Sequence, residues 1–123
     1  MLQATNVKPV GAPRAATVID LIGDLDSTLA QTFNEALGGA LDDGESNIVL
    51  DLKHVASVHA DGLTAVVRTI AEARLRGCAI AVLAHSRHVR TLLSCARIRC
   101  ADREVTLGRG HERHVMIARH ASG

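Results

Sequence analysis

The chain has 123 residues, 47% of them apolar and 22% charged, a length and balance that fit one folded domain over residues 1–123 rather than a disordered chain. Phe33 is the only aromatic residue, so Val, Ile, Leu and Ala must fill the core, and the stacking platforms used to bind RNA or single-stranded DNA are absent. The formal net charge of +1 supplies no global field for nucleic acid or a membrane surface, and no apolar run approaches the roughly 20 residues of a membrane span.

Residues Met1 to Ala15 contain the breakers Pro9, Gly11 and Pro13, with room for a short edge strand near Leu2 to Lys8. No apolar signal core is found there, so export is not expected. Ala16 to Gly23, "ATVIDLIG", is a β-branched run ending in Gly and reads as a strand. The period then changes. Leu29, Phe33, Leu37 and Leu41 recur at helical spacing. Thr28 with Gln31 fits a capping box, and Asp26 and Ser27 are alternative caps. Gly38 and Gly39 weaken this helix near its end, and "DDGE" closes it.

"NIVLDL", Asn47 to Leu52, is almost wholly apolar, as a strand buried on both faces should be. The stretch "KHVASVHADG" then reads as a loop. A helix follows from about Asp61 to Arg76, with Leu63, Val66, Val67, Ile70 and Ala73 on one face and Gly77 as its C-terminal cap. "CAIAVLA", Cys78 to Ala84, is another buried strand, and Ser86 caps a third helix carrying Val89, Leu92, Leu93 and Ala96. "EVTLG", Glu104 to Gly108, reads as a strand; "HVMIARH" fits either a strand or a helical turn. Alternating strands and helices imply an α/β fold: a small, mainly parallel or mixed sheet of four to five strands flanked by helices. The N-terminal strand could pair antiparallel at an edge.

Several enzyme chemistries lack their residues. There is no phosphate-binding loop of the G-x-x-x-x-G-K-[ST] kind, and "GDLDST" is not the dinucleotide fingerprint. "HERHV" places Val115 where a zinc-protease motif needs its second His, so no metal site is expected. His54 and His59 share the second loop, and His85 and His88 flank a helix start; all four read as surface histidines. Cys78, Cys95 and Cys100 are odd in number and form no CxxC pair, which implies reduced thiols in a cytoplasmic protein. No catalytic residue and no cofactor are expected.

What the chain does have is a convergence. Parallel strands bring their carboxyl ends together, so "GDLDST", "KHVASVHADG" and "AHSRH" should meet at one end of the sheet, each leading into a helix N-terminus. Such termini carry unpaired N–H groups and favour anionic groups. Taken singly, Asp26, Asp61 and Ser86 read as helix caps; Asp61 could also act as a weak phosphate mimic.

These segments resemble the STAS domain, named for sulphate transporters and anti-sigma factor antagonists. The resemblance runs from about Ala16 to Arg97, leaving 1–15 and 101–123 less defined. "VIDLIGDLDSTLAQTFNEAL" is similar to the family's opening strand, G-[ED]-L-D turn and first helix. "NIVLDLKHVASVHADGLTAVV" resembles the second strand, its loop and the D-S-S-G-L helix start. The resemblance implies a non-enzymatic anti-sigma factor antagonist. It would bind an anti-sigma factor that is a serine kinase resembling histidine kinases, and so release a sigma factor. It also implies that Ala60 stands where the family's phospho-acceptor serine is, with His59 for the aspartate, Asp61 for the second serine and Gly62 for the glycine. Ala60 has no hydroxyl and cannot be phosphorylated. The expected partner surface is Asp26, Ser27 and Thr28, then His59, Ala60, Asp61, Gly62, Leu63 and Thr64, then Ser86 and Arg87. Direct nucleic-acid and membrane binding are not expected, and the chain should be a monomer or weak homodimer. The alternative is a STAS-type sensory or scaffold module that binds a small molecule or nucleotide.

Overall fold

The computed structural model describes residues 16–100 and 112–118. The strands expected near Leu2 to Lys8 and over Glu104 to Gly108 lie outside them. In chain order the elements are β1 (Ala16–Leu25), α1 (Ser27–Asp42), β2 (Asn47–Val58), α2 (Ala60–Leu75), β3 (Ala79–Leu83), α3 (Arg87–Cys95) and β4 (Glu112–Ala118). The strands stand in the order β3-β2-β1-β4, and each pairing is parallel. The expected α/β sheet is therefore present with four strands, and no antiparallel pairing occurs among the described residues. Of the ambiguous "HVMIARH" segment, the described residues His114 to Ala118 belong to a strand, with β4 running beside β1 from Ala16↔Glu112 to Ile22↔Ala118.

Strand alternation sorts the core. Ile19, Leu21, Ile48, Leu50, Leu52, Ile80, Val82 and Ile117 join Leu29, Phe33, Leu37, Val66, Ile70, Val89 and Leu93 from the helices in one buried cluster. Ala16, Val18, Val49 and Leu83 form a smaller cluster on the alternate strand positions. Phe33, the sole aromatic, is completely buried. Each such large side chain contributes about 1.5–3 kcal/mol of transfer free energy. The helical faces read from periodicity are the buried ones. Leu63, Val67 and Leu41 are partly buried against the same core.

The largest departure from expectation is β2, which continues six residues past Leu52 to Val58. The segment expected to be a loop is strand, and the connection to α2 is His59 alone. Two register shifts explain the misreading. β1 advances from Asp20 to Ile22 while β2 advances from Asp51 to His54, and again from Gly23 to Asp24 against Val55 to Ser57. Both times β2 holds the extra residue, as in a β-bulge. Lys53 and His54 are consequently exposed in succession, which destroys the alternating pattern of a strand. Asp51 supports the first bulge: its Oδ1 accepts the Lys53 backbone N–H at 3.0 Å, and its Oδ2 lies 3.3 Å from the Lys53 ammonium. His54 is thus not a loop residue. Its Nδ1 lies 3.4 Å from Asp20 Oδ1 across the sheet.

Smaller boundary differences follow the same hydrogen-bond logic. β1 extends to Leu25 rather than stopping at Gly23, and β3 is Ala79–Leu83 rather than Cys78 to Ala84. All three helices finish with a reverse turn in which the N–H two residues past the C-cap returns to the carbonyl three residues inside the helix. The bonds are Glu45 N–H to Ala40 at 3.0 Å, Cys78 N–H to Ala73 at 3.0 Å and Ile98 N–H to Leu93 at 2.8 Å. The residue at the turn has φ of +88° at Gly44, +87° at Gly77 and +64° at Arg97. Gly77 closes α2 as expected; Arg97 does the same work with a side chain that resists that conformation.

Candidate functional site

Because the sheet is parallel, the carboxyl ends of β1, β2 and β3 point the same way, and the three turns meet on one rim as expected. Asp26 joins β1 to α1, His59 joins β2 to α2, and Ala84 to Ser86 join β3 to α3. Asp26 is the N-cap of α1, its Oδ1 accepting the Leu29 N–H at 2.9 Å. Ser27 and Thr28 are exposed first-turn residues. The Thr28–Gln31 capping box does not form, since Gln31 instead donates to Glu35 Oε2 at 3.2 Å. Ser86 caps α3, its Oγ accepting the Val89 N–H at 3.4 Å. The Arg90 guanidinium donates to the Ala84 carbonyl at 3.1 Å and steadies the turn before it.

Asp61 is not a cap. α2 starts at Ala60, so the N-cap is His59, which makes no side-chain capping bond, and Asp61 is the second helical residue. It acts on the helix start through charge alone.

The rim is held tightly beneath its exposed surface. The His59 backbone N–H donates to the Leu25 carbonyl at 2.9 Å. Gly62 is buried against that carbonyl: a Cβ there would lie 2.3 Å from Leu25 O and 2.7 Å from its carbon. Only glycine lets α2 come down so close to the end of β1. Ser57 Oγ donates to Asp24 Oδ1 at 2.7 Å, tying the last turns of β2 and β1 together. Ser57, Asp24 and Asp51 are positioning residues that sequence reasoning missed. A lone acid inside the apolar run "NIVLDL" was the available signal for Asp51.

On the surface, Ser27, Thr28, His59, Ala60, Asp61, Thr64, Ser86 and Arg87 are exposed, Asp26 and Leu63 are half-buried, and Gly62 is buried. These residues all fall at the carboxyl-end turns of β1, β2 and β3 or in the first turns of the helices that follow, with Gly62 packed beneath. The charge of the rim is polarised. Asp24 and Asp26 stand at the β1 side and Asp61 at the centre; His85, Arg87, His88 and Arg90 stand at the β3 side.

Two concavities among the described residues lie away from the rim. A 230 Å³ pocket, lined by Leu41, Gly44, Glu45, Ser46, Arg76, Gly77 and Cys78, sits where the helices end. It is below the usual range of ligand cavities. A 50 Å³ cleft separates α1 from α2. The three cysteines are free. Burial pushes the Cys78 and Cys100 thiols up, opposed by the charges of Arg76 and Arg90 respectively. Neither is an activated nucleophile. Among the described residues no group of three or more His, Cys, Asp or Glu is placed to hold a metal ion, and no helix is long and apolar enough to cross a membrane.

Fold and rim together define a small α/β module whose three turns converge at one end of a parallel sheet. Residues 10–100 match the family model described as Mlab, STAS domain. That span is most of the chain, and the chain belongs to the STAS domain family. Proteins of this family are generally non-enzymatic and regulatory. No curated protein and no solved structure matched the chain.

Proposed function

We propose that the chain is a non-enzymatic, cytoplasmic anti-sigma factor antagonist that works without a phosphorylation switch at its usual place. The partner is a kinase-like anti-sigma factor, and its capture frees a sigma factor. The observation that carries this reading is the position of Ala60. It is exposed as the first residue of α2, at the centre of the rim, where the family pattern has its phospho-acceptor serine. An alanine there keeps the rim permanently in the unmodified state.

The test uses purified kinase-like anti-sigma factors from the source genome, titrated against the chain by calorimetry. One of them should bind. Ala60→Glu should weaken that binding by roughly thirty- to several-thousand-fold, because an unpaired carboxylate would be desolvated in the contact. Ala60→Ser should bind normally and accept phosphate from the kinase. No binding by any of these partners, or an unchanged affinity for Ala60→Glu, overturns the reading.

A further inference from the structure

We propose that the outer face of α3 and the turn after it dock an acidic segment of a partner protein, through Arg87, Arg97 and Arg99. From Ala73 to Cys100 the chain holds six Arg and no Asp or Glu. Three of the six are engaged within the fold: Arg74 donates to the Ile80 carbonyl, Arg76 pairs with Asp42 and Arg90 donates to the Ala84 carbonyl. Arg87, Arg97 and Arg99 are exposed and join no hydrogen bond or ion pair among the described residues. The fold brings them to one side of the sheet. β3 is the outer strand there, and α3 follows it directly. Past α3 the chain returns to that strand, where Cys100 bridges Val82. The Cys100 thiol feels the charge of Arg90, so Arg99 comes back beside α3.

Charge is not the only mark of this face. α1 and α2 close on Gly44 at φ +88° and Gly77 at φ +87°, whereas α3 closes on Arg97 at φ +64°. A side chain in that region costs stability that glycine avoids. No bond of the Arg97 side chain among the described residues offsets the cost. Strain that the fold itself does not use points to a role in binding.

The chemistry of the occupant follows from what the face has and lacks. Guanidinium groups pair with carboxylates in a two-bond fork. A lipid surface would need an apolar anchor beside the charges. Among the described residues the exposed large apolar side chains, Leu75 and Met116, stand on α2 and β4 instead. A net charge of +1 gives no long-range pull on the phosphates of a duplex. The attraction is local: α3 is nine residues, about 14 Å, long and carries no acid, which matches a short run of Asp and Glu.

Fluorescence anisotropy of a labelled octaglutamate peptide, titrated with the full chain, tests the docking face. The peptide should bind at low salt and be released at 0.5 M NaCl. Arg87→Glu and Arg99→Glu should each weaken binding by about threefold to tenfold. Arg68→Glu, exposed on α2, changes the net charge equally and should leave the affinity unchanged. The decisive arm is Arg97→Gly, which should weaken binding by about twofold to fivefold while raising the melting temperature; a purely structural Arg97 would move only the second. No binding at low salt overturns the proposal, as does an equal loss with Arg68→Glu or an unchanged affinity for Arg97→Gly. So does tighter binding, through the same arginines, of duplex DNA or phosphatidylglycerol vesicles presented at the same charge concentration. None of these readouts involves the anti-sigma factor, so this proposal and the proposed function are overturned separately.

Discussion

At the rim, helices begin on exposed polar turns held from below; at the opposite end, the same helices finish in reverse turns that return their last carbonyls to the backbone. The rim fastens α2 with Gly62 against Leu25, ties β2 to β1 with the Ser57–Asp24 bond, and leaves Ala60, Asp61 and Thr64 exposed. The far end uses Gly44, Gly77 and Arg97 and turns the exposed Arg76 toward Asp42 of α1. Rigid support under an uncommitted surface suits recognition. Local backbone closure suits stability. Substitutions at the two ends should therefore differ in kind: rim changes that reach the support cost most, and rim changes that touch only the surface cost least.

The largest effect is expected at Gly62. Gly62→Ala puts a methyl group into the Leu25 carbonyl, and backbone cannot swing aside, so denaturant unfolding should show a loss of about 3 kcal/mol. Gly38→Ala is the internal control. A Cβ there meets nothing within 4 Å, and a helix-interior Gly→Ala change should gain about 0.5–1 kcal/mol. If Gly62→Ala proved neutral, the close approach of α2 to β1 would not be a constraint and the rim would be looser than described.

Next come the helix ends. Gly77→Ala forces a Cβ into φ of +87° and should cost about 1–2 kcal/mol. Arg97→Gly releases the same strain at φ +64° and should stabilise α3 by about 1 kcal/mol. Opposite signs at two equivalent turns, read from melting or denaturant curves, would sharpen the picture of a far end built on backbone closure. Equal signs would break it.

The limits of sequence reading follow the same division. The helices and the strands β1, β3 and the first half of β2 were legible because Leu29, Phe33 and Leu37, or Val66, Ile70 and Ala73, repeat at the spacing that burial demands. The convergence of the three turns was legible because parallel topology requires it. The second half of β2 was not, since each bulge shifts the alternation by one residue and Lys53 and His54 then mimic a loop. The Ser57–Asp24 bond was invisible for the same reason: the partners are 33 residues apart and meet only in the register that the second bulge sets. Asp61 was misplaced as a cap because Asp is a favoured capping residue, while the strand in fact runs to Val58 and leaves only His59 at that position.

A third prediction separates the two acids at helix starts. Asp26 makes a true capping bond, so Asp26→Ala should lose about 1 kcal/mol in denaturant unfolding, and raised salt should remove little of that loss.

The smallest effect belongs to Asp61, and it is the one that tells cap from charge. Asp61 sits in the first turn of α2, exposed, with its carboxylate near the positive end of the helix dipole and no capping role. Asp61→Ala should therefore lose only about 0.3–0.5 kcal/mol at low ionic strength. Charge of this kind is screened, and at 1 M salt, where the Debye length is about 3 Å, the difference between Asp61→Ala and the parent chain should vanish. Asp61→Asn reports the same quantity with the shape kept, and should match Asp61→Ala under both conditions. A loss near 1 kcal/mol that persisted in salt would mean that Asp61 holds a hydrogen bond after all. The start of α2 would then have to shift by two residues, and Ala60 would leave the helix for the turn.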